Sequence, residues 1–150
     1  MKPTFWKLSH GSDYFSFGHM LESVYNQVVV MHKSTKAKGK NKTKQGENFI
    51  SAPIGDYFYL THGNEGIYLL GQFTGPVDYF YDEADGWVSR PFKFIAASQD
   101  GAAYDGEEKW WTPNHRSTFV QVPADELKDF EKWILQPYFG IKLKKFGIKP

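Results

Sequence analysis

Apolar positions along the chain fall in short runs broken by Gly, Pro and Asp, a pattern that predicts a β-rich domain. Phe5-Trp6-Lys7-Leu8 reads as a first strand, ended by the turn-forming cluster Ser9-His10-Gly11-Ser12-Asp13. Phe17, Met20, Leu21 and Val24 recur at three- and four-residue spacing and predict a short helix over 17–25. Residues 27–32 form a β-branched strand, central because nearly every position is apolar. Residues 33–48 alternate lysine with Ser, Thr, Asn and Gly, cannot bury a core, and predict a solvated loop or mobile hairpin.

Further along, Ile54-Gly55-Asp56 turns into a strand over 57–61, and residues 62–66 connect it to a hairpin partner over 67–74. Gly75-Pro76 breaks that strand. Two more are predicted over 77–81 and 88–96, then an acidic loop over 98–108 and a last strand over 118–122. Pro123-Ala124-Asp125-Glu126 opens a terminal helix running to about Gln136, with Leu127, Phe130, Trp133 and Ile134 on its apolar face. The expected organisation is one domain over 1–138 and a basic linker or tail over 139–150. The fold class is α/β (α+β), a small bent sheet or barrel, mainly antiparallel, with flanking helices.

Composition narrows the chemistry. Of 150 residues, 18 % are aromatic, enough to build a core and leave rings over. No cysteine is present, so disulfides and thiolate metal sites are excluded and a cytoplasmic setting is the default expectation. No run of apolar residues is long enough to span a bilayer. The net charge of +1 hides an asymmetry: Lys33, Lys36, Lys38, Lys40, Lys42 and Lys44 are six of 18 bases, leaving 12 against 17 acids, about −5, elsewhere. Six flexible ammonium groups in one segment suit contact with phosphates and do not read sequence.

Enzyme signatures are weak. Glu107-Glu108-Lys109 with Asp100 imitates a metal-dependent nuclease, but glycines and acids surround it where an apolar core strand is needed. Gly39-Lys40 lacks the upstream glycine of a phosphate loop. His10, His19, His32, His62 and His115 show no metal-ligand pairing, and no Ser or Thr sits in a nucleophile elbow. The expectation is a binding protein, with neither cofactor nor metal.

Four segments in order carry a resemblance: residues 5–9, 28–32, 54–58 and 66–76, the last reading Gly66-Ile67-Tyr68-Leu69-Leu70-Gly71-Gln72-Phe73-Thr74-Gly75-Pro76. Over residues 3–136 the chain resembles the PUA-like superfamily, nearest its EVE and YTH-like branch, and is similar to the DNA-recognition domains of McrB-type modification-dependent restriction systems. The resemblance implies a reader that holds an extruded, modified base in an aromatic-walled pocket. It implies base contact by Trp6, Ser9, His10, His32 and Trp87; the lysines of 33–44, read from charge alone, would meet phosphate beside them. Strand alternation leaves Trp6 or Phe5 for the core, and relatives often carry tryptophan where His32 stands. The implied partners are double-stranded DNA bearing a modified base, a downstream NTPase domain and a nuclease subunit, with no membrane. The alternatives are an RNA-modification reader on the same fold and a protein-interaction module using the surplus aromatics.

Overall fold

A computed structural model describes residues 4–10, 17–32, 45–64, 66–82 and 87–148. The lysine segment 33–44 lies outside the described residues. Among the described residues, seven strands and two helices precede a helical C-terminus: β1 (Phe5–His10), α1 (Phe17–Tyr25), β2 (Val28–His32), α2 (Gln45–Ser51), β3 (Tyr57–His62), β4 (Ile67–Phe73), β5 (Asp78–Asp82), β6 (Trp87–Ala97) and β7 (Phe119–Gln121). The strand order is β2-β6-β4-β3-β1-β7, with β5 on β6. Only β1 and β3 pair in parallel among the described strands, because the α1-β2-α2 crossover returns the chain in the same direction. The other pairings are antiparallel. This is the α/β bent sheet expected, of PUA-like form.

Two-residue periodicity divides the core into two layers. Trp6, Leu8, Phe58, Leu60, Phe73, Phe92 and Phe119 fill the inside of the curl. Phe5, Tyr59, Trp111 and Val120 pack outward against Phe130, Ile134 and Leu135 of the C-terminal helices. Strands β2 and β7 end the strand order, β5 is a further edge on β6, and α2 packs on β2 and β7. Phe49 of α2 meets Phe73 and Phe119 edge-on at 5.9 and 5.4 Å. Arg90 anchors the same helix: its guanidinium lies 4.3 Å over the Phe73 ring and donates to the carbonyls of Phe49, Ala52 and Gly75.

One expectation is corrected. The polar stretch 33–48 ends in helix at Gln45, because Gln45, Gly46 and Phe49 supply one buried face. The segment from Phe139, expected as a basic linker or tail, alternates buried and exposed positions. Phe139, Ile141, Leu143 and Ile148 are buried while the intervening Lys142, Lys144 and Lys145 stay exposed, and Phe146 packs on Phe5 and Tyr57 at 5.2 and 4.7 Å. The terminal helix also continues to Phe139, through a π-helical stretch over Glu131–Leu135. Pro137 accounts for that stretch, since it has no N–H to give to the carbonyl four residues back.

Candidate nucleic-acid interface

Because β1 and β3 are parallel and in register, they stop together. Ser9 stands opposite Thr61, and His10 opposite His62. All four are buried. His10 follows Trp6 and Leu8 at alternate positions, on the strand face that carries the inner layer. Burial, with the neighbouring His62 adding to it, pushes the His10 imidazole down to about 3. It is neutral at physiological pH and offers one donor nitrogen and one acceptor nitrogen.

A third element reaches this strand end. The Ser9 N–H donates to the Thr118 carbonyl at 2.8 Å. Gln45 Oε1 accepts from the N–H groups of Thr118 and Phe119 at 2.6 and 2.7 Å. Ser9, His10, Gln45, Thr61 and His62 therefore make a polar, buried end to a sheet otherwise filled with rings. Polar side chains are costly to bury and are retained where hydrogen bonding uses them.

The other candidate residues separate from this group. Trp6 goes to the core: its ring stacks on Phe119 at 4.5 Å with 7° between planes, and its Nε1–H donates to Asp56 Oδ2 at 2.9 Å. Asp56 also accepts from the Thr4 backbone and hydroxyl, so it pins the start of β1 to the turn before β3. His32 and Trp87 are register partners across β2 and β6, and Trp87 is also opposite Asp82 of β5. Strand pairing thus joins two positions 55 apart in sequence, by number from 32 to 87, that the chain pattern alone could not connect. The lysines expected on phosphate, Lys33, Lys36, Lys38, Lys40, Lys42 and Lys44, lie outside the described residues.

Thr61, His62 and Gln45 were not singled out by sequence. The first two read as the end of a strand and its turn, and Gln45 as the end of the basic loop; only the parallel register and the α2 packing bring them together. Lys7 is a further unforeseen group. It is fully buried on the outer layer, and its Nζ donates to the His115 carbonyl at 2.7 Å and the Ser117 hydroxyl at 2.9 Å. Burial pushes it down to about 7, against the opposing pull of Glu108.

The loop over 98–118 holds no strand. Its Glu108 pairs with His115 at 2.8 Å, and Lys109 reaches Glu126 at 3.8 Å. Together with the last helices it lines a cavity of about 420 Å³ whose acids Asp100, Asp105 and Glu107 face one base, Lys132. That sign of charge disfavours a phosphate chain along this face. Among the described residues no group of three His, Cys, Asp or Glu side chains could hold a metal, and no helix is long and apolar enough to cross a membrane.

No protein-family model and no curated protein sequence matches the chain. Solved structures do match in shape. Rpa0253 from Rhodopseudomonas palustris superposes with a TM-score of 0.53 at 13 % identity, over 87 % of this chain and 92 % of its own. PSPTO5229 from Pseudomonas syringae gives 0.53 at 12 %, over 85 % and 97 %. The YTH domain of the MRB1 protein of Zygosaccharomyces rouxii, solved in complex with N6-methyladenosine RNA, gives 0.52 at 16 %, over 87 % and 85 %. These likenesses define a fold class, a PUA-like α/β domain of the kind that includes a YTH domain. At such identities they define the fold alone.

Proposed function

We propose that this domain is a non-enzymatic reader of a modified nucleobase in DNA, the specificity module of a modification-dependent restriction system. The observation that carries the reading is the buried polar strand end formed by Ser9, His10, Gln45, Thr61 and His62 on an aromatic-filled curled sheet. An extruded base needs flat faces to replace lost stacking and polar groups at its edge. Neutral His10 is a polar group available at that edge, and Ser9 stands beside it. His32 and Trp87, opposite each other on β2 and β6, are the stacking candidates. The lysines of 33–44 hold phosphates, giving affinity without sequence. The ATP-consuming and cutting parts belong to other domains or subunits.

The likeness to a YTH domain that holds N6-methyladenosine RNA supports modified-base reading in general, and it supports an RNA reader as the second form of the proposal. One binding panel tests both. Identical duplexes, and the matching RNA strands, carry unmodified bases, N6-methyladenine, 5-methylcytosine, hydroxymethylcytosine or glucosylated cytosine. Preference for one modified duplex is the expected result. Preference confined to RNA transfers the proposal to its second form, and equal affinity for every member overturns it.

A further inference from the structure

The carboxamide of Gln45 is only half used. Its oxygen accepts from two successive backbone N–H groups, of Thr118 at 2.6 Å and Phe119 at 2.7 Å. Those two bonds fix the plane of the amide and so fix where the nitrogen stands. Gln45 has no exposed surface, and among the described residues its Nε2 has no hydrogen-bond partner. Gln45 lies one helical turn before Phe49, whose ring packs in the inner layer, so the two share the face of α2 that looks into the curl. Thr118, which holds the Gln45 oxygen, in turn accepts from the Ser9 N–H. The unused N–H₂ therefore belongs to the strand end where β1 and β3 stop. Opposite Ser9, the fully buried Thr61 hydroxyl is likewise without a partner. A buried donor left unmade is costly, and a fold that keeps one at a fixed angle has a use for it when a partner arrives.

We infer that Gln45 Nε2 is a specificity-determining donor that hydrogen-bonds an acceptor atom, a ring nitrogen or carbonyl oxygen, on the edge of the bound nucleobase. The inference rests on the reader proposal and adds a residue to it. Held by its oxygen, the amide cannot flip to present an acceptor, so it discriminates in one sense only. A base turning an N–H toward it is rejected; a base turning a lone pair toward it is bound.

The test uses the duplex that the full chain prefers in the binding panel. Gln45→Glu keeps an oxygen for the Thr118 and Phe119 N–H groups and replaces the donor with an acceptor. The expected result is a loss of at least about tenfold in affinity for the modified duplex and a fall in the modified-to-unmodified ratio. A Gln45→Glu protein that folds and keeps the parental modified-to-unmodified ratio overturns the inference. A second measurement needs no variant: the preferred base is replaced by deaza analogues, each with one ring nitrogen exchanged for C–H, and by the analogue lacking its carbonyl oxygen where it has one. One of them is expected to bind the parental protein about tenfold more weakly. Parental affinity for all of them overturns the inference while leaving the reader proposal intact. A parental protein with no preference for any modified duplex or RNA overturns both.

Discussion

Gly71 and Phe58 are register partners across β4 and β3, and a Cβ placed on Gly71 would stand 2.6 Å from Phe58 Cζ and 2.9 Å from Phe92 Cδ2. Both rings belong to the inner layer, where Phe58 stacks on Phe73 at 4.8 Å and meets Phe92 edge-on at 5.5 Å. The pairing of β4 with β6 shifts register at Leu70/Gly71, so the sheet bends where the side chain is missing. The glycine is thus a condition of the curl. Gly71→Val is expected to prevent folding or lower Tm by well over 10 °C, and Gly71→Ala by several degrees, since overpacking costs about 1–3 kcal/mol. Thermal unfolding followed by circular dichroism checks it. A Gly71→Val protein with parental Tm would show that the inner layer has room.

Lys7 sets a pH dependence. Its unfolded value is 10.5 and burial lowers it to about 7 in the fold, so above pH 7 the unfolded chain binds the extra proton. Stability therefore rises with pH between about 7 and 10 and is lower, and flat in this group's contribution, below that window. The two acceptors at Nζ, the His115 carbonyl and the Ser117 hydroxyl, soften the cost of the charged form without removing it. Parental Tm is expected to climb by about 4 °C or more from pH 6.5 to 9, roughly two pKa units of linkage discounted for relaxation. Lys7→Met is expected to flatten that rise and to lift Tm at pH 6.5. An equal slope in both proteins would mean that Lys7 keeps its proton throughout.

Much of the fold was legible because local patterns carry it. The split between Phe5 outward and Trp6 inward follows from alternation, and the hairpin of β3 and β4 from its glycine turn, where Gly63 has φ +58°. What escaped was set by distant partners. The parallel register that brings His62 to His10 depends on a crossover, and no periodicity reports it. Helix α2 hid in a lysine-rich stretch because its buried face is two polar or small residues and one ring, Gln45, Gly46 and Phe49. In the tail the lysines dominated the reading, although Phe139, Ile141 and Leu143 alternate as a packed segment should. Gln45 itself has no sequence signal: a glutamine becomes a donor of fixed direction only once two backbone N–H groups hold its oxygen.

The basic segment is expected to supply charge and little specificity. Replacing Lys36, Lys38, Lys40 and Lys42 with Gln removes four of its six positive charges. Affinity for modified and unmodified duplexes is expected to fall together, and the slope of log K against log salt to flatten by about 3 to 4 if each lysine neutralises one phosphate. Tm is expected to stay within about 2 °C, since exposed charges contribute little to stability. Titrations at three salt concentrations check it. Unchanged slope and affinity would show that these lysines do not meet phosphate.

His32 and Trp87 are opposite each other in the antiparallel β2–β6 ribbon, which puts both positions on one of its faces, while Trp6 is committed to Phe119 and Asp56. On the proposed reading, replacement stacking for an extruded base is expected from His32 and Trp87, and hardly at all from Trp6. Stacking is worth roughly 1–3 kcal/mol per base, so truncating either residue to Ala is expected to cost about one to two decades in affinity for the modified duplex. Unmodified duplex, held through phosphates, is expected to lose little. Trp6→Ala should behave differently: it deletes a core ring, lowers Tm by about 10 °C or more through about 3–5 kcal/mol, and changes the modified-to-unmodified ratio only through misfolding. Paired titrations at one fixed salt, with Tm recorded for each variant, separate the two behaviours. If His32→Ala and Trp87→Ala both keep the parental ratio, stacking comes from other rings and the pocket lies away from the β2–β6 ribbon, whatever the fate of the polar strand end.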